Sequence, residues 1–203
     1  MLNSIISALR RSMLATASFV LVYVIAVVAG GVMVHSGNQF ALNYRDRLVA
    51  RAHAQDPASL ADQRGAHSRA ALIDFARNLG LGAVPATVGG LAIVLSYPVA
   101  AYRGWVGGIV SVNNAHASRF GTRRQAINYV TTLLLQLLPY CLAGGAGVTL
   151  GLAYYRTRGQ IPASERWFTL PAAAVQDVMW VYVVVVPLFL VASLWEFLNP
   201  FRF

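Results

Sequence analysis

The sequence predicts an all-α fold: a polytopic bundle of transmembrane helices with about four main spans. Three observations predict it. Hydrophobic residues make up 57% of the 203 and charged residues only 11%, against about 25% charged in an average soluble domain. Several uncharged apolar runs reach the ~20 residues that a helix needs to cross a bilayer. The basic residues, all of them Arg, stand between and beside those runs. A chain of this length is expected to form a single membrane domain, 1–203. Too little polar surface exists to cover such a fold in water, and lipid as solvent removes that deficit.

The first span is expected at 13–34. Arg10 and Arg11 precede it, as in a signal peptide, but the apolar stretch exceeds the ~7–15 residues of a signal core, and no small-x-small cleavage site follows. An uncleaved first helix is therefore expected. Between it and the second span lies a polar loop, 35–80. Within it, Phe40, Tyr44 and Leu48 recur at helical spacing, predicting an amphipathic helix over 38–54. Asp56-Pro57 reads as an N-cap and first helical position. A further helix over 66–79 is expected to lie along the headgroups or to cap the bundle.

The second span is expected at 81–102. Arg103-Gly104-Trp105-Val106-Gly107-Gly108-Ile109-Val110 follows, apolar but too short to cross, and reads as a re-entrant or interfacial helix. The third span, 127–155, would extend over ~40 Å at 1.5 Å per residue. Pro139 lies near its middle and predicts a kink or break. Gly144, Gly147 and Gly151 then place small residues along one face. Such residues let helices approach closely in lipid; a hinge or pore lining is the alternative. The fourth span is expected at 170–194. Tyr154, Tyr155 and Trp167 fit an aromatic belt. Four spans put both termini on one side with Arg10, Arg11, Arg103, Arg119, Arg123, Arg124 and Arg202, which favours termini inside. A fifth crossing near Trp105–Val112 would move the C-terminus to the other side.

The net charge of +9 can serve a nucleic acid or an anionic membrane surface. No nucleic-acid motif accompanies it, so partners are expected to be the lipid bilayer and other membrane subunits, with no nucleic acid. Asp177 is the sole charge inside the fourth run, so an ion or proton role is weighed against simple complementation of the helix dipole. Glu196 lies at that helix's C-terminal end, where a negative charge is disfavoured, so a cationic partner such as Arg202 or a loop Arg is expected. Cys141 lies in an apolar run and has no second Cys to pair with. His35, His53, His67 and His116 show no metal-ligand spacing. No cofactor, metal or catalytic set is expected. Without Lys, no Walker-type phosphate loop exists, so energy for any active transport must come from a separate ATPase.

Several segments together resemble the stage II sporulation protein M family. Phe75-Ala76-Arg77-Asn78-Leu79 is similar to the entry of that family's second span. The stretch opening at Arg103 resembles its glycine segment, with Arg103 where Asn is usual. Leu138-Pro139-Tyr140-Cys141 and the small residues after it resemble its Pro-His-Gly-x-x-Glu segment, with Tyr140 in place of His and Gly144 in place of Glu. The closest match is the end, Trp195-Glu196-Phe197-Leu198-Asn199-Pro200, against Glu-x-Phe-x-x-Pro. The resemblance implies a membrane scaffold or complex subunit of a prokaryotic cytoplasmic (inner) membrane, not an enzyme. A permease-like subunit of an ABC-type transporter is the alternative.

Overall fold

The computed structural model describes residues 1–160, 162 and 169–199. Pro200, Arg202, Arg166 and Trp167 lie outside the described residues. Among the described residues the regular structure is helical, apart from one isolated bridge between Val112 and Ser118.

Helix α1, Leu2–His35, buries Ala8, Ser12, Phe19, Tyr23, Gly30 and Val34. Leu14, Leu21, Ile25, Val28 and Val32 remain exposed on the rest of its circumference. This one-sided burial is what a helix shows when packed on one face and bathed by lipid on the other. Gly37, at φ +75°, ends the helix, and Asn38 N–H returns to the Met33 carbonyl at 3.0 Å. The Asn38 side chain then caps α2, Gln39–Gln55, by accepting from Ala41 N–H at 3.1 Å. Helices α3, Pro57–Gln63, and α4, His67–Arg77, complete the polar cap. Asp56 precedes Pro57 as the sequence predicts, but its carboxylate pairs with Arg77 instead of capping α3.

The region expected to form the second span is not one helix. Helix α4 runs without interruption into a π-helical stretch, Asn78–Ala83, and then α5, Val84–Gly90. The chain turns at 91–92, makes a short 3₁₀ segment, Ile93–Leu95, and returns as α6, Ser96–Ile109. Local chemistry explains the break. Gly89 and Gly90 are weak helix formers, and Pro98 has no N–H for the Val94 carbonyl. Ile93 takes φ +53° in the turn. The expected separate helix at Arg103–Val110 is the second half of α6. Among the described residues three helices, not four, are long and apolar enough to cross a membrane: Leu2–His35, Arg123–Gln160 and Ala172–Leu198.

Helix α7, Arg123–Thr157, is capped by the Thr122 hydroxyl, which accepts from Gln125 N–H at 3.3 Å. It passes through Pro139 as one continuous helix, so the predicted break is absent. Proline removes only the bond to the Leu135 carbonyl, and burial of Leu137, Pro139, Tyr140 and Cys141 against neighbouring helices offsets the ~3 kcal/mol cost. Helix α8 is Ala172–Leu198.

Contacts fix the direction of each helix. Tyr97 meets Ser18 and Phe19, Gly104 meets Tyr23, and Gly108 meets Val27, so α6 runs parallel to α1. Gly145 lies against Thr16 and Gly144 against Phe19, with Gly107 between Leu133 and Tyr23, so α7 runs antiparallel to both. Thr87 and Gly90 pack on Gly147, and Leu91 on Gly151, so α5 follows α7. Gln136 meets Glu196 and Tyr140 meets Phe189, so α8 opposes α7. The start of α1 and the end of α8 therefore lie at opposite ends of the bundle. This corrects the expectation that both termini share a side.

Candidate functional site

At the capped end of the bundle, helical spacing places pairs of polar residues on inward faces. Asp74 and Asn78 are four residues apart, Gln136 and Tyr140 four, and Ser193 and Glu196 three. These intervals put each pair on one side of its helix. The pairs then meet. Tyr140 Oη donates to Asn78 Oδ1 at 2.6 Å. Asn78 Nδ2 donates to Asp74 Oδ2 at 2.8 Å, and the same oxygen accepts from Ser193 Oγ at 2.7 Å. Gln136 Nε2 donates to Glu196 Oε2 at 2.5 Å. Arg103, from α6, lays its guanidinium over the Tyr140 ring with Cζ 4.1 Å from the centroid.

Arg103, Gln136, Tyr140 and Glu196, with Arg119, line a cavity of about 630 Å³ between α6 and α7. A second cavity, of about 740 Å³, lies under the polar cap and shares Arg119, Asn128 and Glu196 with the first. A polar route thus leads from the cap into the bundle. Among the described residues the Asn128 Oδ1 atom on this route is buried without a hydrogen-bond partner.

Polar contacts hold the cap over this entrance. Arg45, only 2% exposed, donates to Asp46 at 2.9 Å and to Asn114 of the α6–α7 loop at 2.7 Å. His116 of that loop meets the other Asp46 oxygen at 2.9 Å. The hydrogen bond from Arg45, aided by His116, holds the Asp46 carboxyl below its ordinary value. Burial pushes the Arg119 guanidinium down, and the neighbouring Arg45 charge adds to that.

The residues singled out from sequence divide. Arg103 and Glu196 face the same cavity. Glu196 takes an amide donor from Gln136; Arg202, named as its expected cationic partner, lies outside the described residues. Asp177 lies at the far end, beyond the first turn of α8, where a dipole role was expected. It accepts two hydrogen bonds from Arg11, at 2.6 and 2.5 Å. Pro139 adjoins Tyr140 in the buried face of α7. A Cβ on Gly144 would strike Phe19, one on Gly147 the Thr87 backbone, and one on Gly151 the Gly90 carbonyl. Asp74, Gln136 and Ser193 were not singled out from the sequence. Their i, i+3 and i, i+4 spacing to Asn78, Tyr140 and Glu196 is the signal that marks them.

The fold and site define an all-α protein of membrane type, with polar groups enclosed among apolar helices. The family model of stage II sporulation protein M matches residues 18–198, and the chain belongs to that family. Comparisons with curated proteins and with solved structures return no match. The segments that resemble the family's motifs supply Arg103, Tyr140 and Glu196, which the fold gathers around one cavity, and Asn78, which accepts from Tyr140 behind it.

Proposed function

We propose that this protein is a non-catalytic, multi-pass subunit of a prokaryotic cytoplasmic (inner) membrane complex, which holds partner proteins in place. The observation that carries this reading is the ordered polar cap. A 46-residue loop has ample freedom to be a loose linker, yet Arg45, Asp46, Asn114 and His116 tie it to the α6–α7 loop, and Asp56 ties to Arg77. A cap fixed in this way offers partners a surface of constant shape, while α1 and α8 turn apolar side chains outward. Purification from native membranes in mild detergent is expected to retain stoichiometric partner subunits. Replacing exposed cap arginines Arg47 and Arg51 by Glu is expected to release them. Isolation only as a lone, fully active chain would overturn the proposal.

A second reading, a permease-like subunit energised by a separate ATPase, is favoured by one observation. Glu196 and Arg103 border a cavity among apolar helices, and ionisable groups in that setting commonly mark a transport path. Flux in vesicles reconstituted with the partner ATPase, lost in Glu196→Gln, would support it. Equal flux without the chain would remove it.

A further inference from the structure

The cavity between α6 and α7 contains more positive charge than its own carboxylate neutralises. Arg103 and Arg119 both line it, against the single carboxylate of Glu196. Among the described residues neither arginine forms an ion pair. Each guanidinium therefore stands in a partly apolar site without an anion beside it, an expensive arrangement unless an anion arrives.

The walls point to the kind of anion. Val99, Val106, Val110 and Leu133 make one side apolar. Val99 is 48% and Tyr102 49% exposed, which marks an opening on the flank of the bundle. At the other end the cavity meets the polar space under the cap through Arg119, Asn128 and Glu196. A ligand that fits both ends has a charged head and an apolar tail. Arginine's planar fork matches phosphate oxygens, giving short charge-assisted hydrogen bonds. Tyr140 holds the Arg103 guanidinium over its ring, and a guanidinium carries five N–H donors, more than one partner can use. Glu196 accepts hydrogen bonds and would take donors from the head group, such as hydroxyls.

We propose that this cavity binds a phosphate-bearing amphiphile, with the phosphate held by Arg103 and Arg119 and hydroxyl donors of the head group turned to Glu196. The proposal rests on the bundle lying in a membrane, but not on the scaffold role.

The test uses the full chain in detergent and measures binding by native mass spectrometry. The probes are dioctanoyl phosphatidylglycerol, dioctanoylglycerol and inorganic phosphate. The phosphatidylglycerol is expected to bind at least ten times more tightly than dioctanoylglycerol. Arg103→Gln and Arg119→Gln are each expected to erase that preference, and the exposed Arg47→Gln to preserve it. If Arg103→Gln fails to fold, Arg119→Gln decides. Inorganic phosphate that displaces the lipid would identify a free phosphate as the natural source; phosphate that cannot would identify the lipid. Equal binding of the two lipids, or unchanged selectivity in Arg119→Gln, overturns the proposal. Carbonate extraction separates the two failures. A chain released from membranes refutes the membrane reading, whereas a retained chain without phosphate preference refutes only the lipid site.

Discussion

The guanidinium of Arg103 rests 4.1 Å above the ring of Tyr140, and the Tyr140 hydroxyl reaches past it to Asn78. One side chain thus links α6 to the stretch that joins α4 and α5. The two contacts are separable. Tyr140→Phe keeps the ring beneath Arg103 but leaves Asn78 Oδ1 without its donor, which costs about 1–3 kcal/mol in a buried setting. Tyr140→Leu also removes the cation–π contact and the edge-to-face contact with Phe189, at 4.8 Å, and is expected to cost about 1–2 kcal/mol more. Thermal unfolding in detergent, followed by circular dichroism, checks the order. Equal losses for the two variants would show that the ring contributes nothing.

Glycine substitutions should separate close helix approach from mere helical propensity. A Cβ at Gly147 would overlap the Thr87 backbone, which has no rotamer by which to yield, whereas a Cβ at Gly80 meets nothing within 4 Å. Gly147→Ala is expected to destabilise by about 1–3 kcal/mol, the range for overpacking. Gly80→Ala is expected to be neutral or to stabilise by up to about 1 kcal/mol, since alanine is the better helix former. Detergent melts of the two variants side by side provide the measurement.

Those glycines also show which parts of the structure were legible in the sequence. Long apolar runs with few charges declared α1 and α8, because a lipid-facing helix needs little beyond apolar length. Asn38, Pro57 and Gly37 are local signals, and the cap helices begin and end near them. The region 81–102 misled because its composition is that of a span. Gly89, Gly90 and Pro98 split it into two antiparallel legs, and the glycines of α7 and α1 then accept those legs. At Pro139 the break is absent, since tertiary burial outweighs one missing hydrogen bond. The site was half legible. Arg103 and Glu196 stand out as charges among apolar residues, but Asp74, Gln136 and Ser193 become meaningful only when helix directions bring α4, α7 and α8 together.

The polar cap is expected to loosen in acid. Asp46 is held below its ordinary value by Arg45 first and His116 second. A carboxylate whose folded value is depressed stabilises the fold above its unfolded value near 3.8, and that contribution fades as pH falls through the lower folded value. Cap stability should therefore be flat at neutral pH and fall in the strongly acidic range. Limited proteolysis of the 39–77 segment, with an acid-active protease at low pH and trypsin at neutral pH, is the readout. Asp46→Asn should cleave faster at neutral pH and show a shallower acid dependence. An unchanged acid profile in that variant would place the sensitivity elsewhere.

The ion pair at the opposite end of the bundle gives the sharpest test of where function resides. Asp177 has the appearance of an intramembrane acid in the sequence, yet it lies near the start of α8 and binds Arg11 through both carboxylate oxygens. The Arg11 side chain is 56% exposed, so solvent screens the pair and its contribution to stability is small. Asp177→Asn should therefore cost little stability and leave partner retention, lipid selectivity and any flux intact. The exchange Arg11→Asp with Asp177→Arg should recover what either single change loses, because the partnership is electrostatic and local. Glu196→Gln carries the opposite expectation. It replaces a cavity-lining carboxylate that accepts from Gln136 at 2.5 Å, so it should alter phosphate selectivity while changing stability only slightly. Loss of activity in Asp177→Asn with full activity in Glu196→Gln would move the functional centre to the wrong end of the bundle for every argument built on the Arg103–Tyr140 cavity.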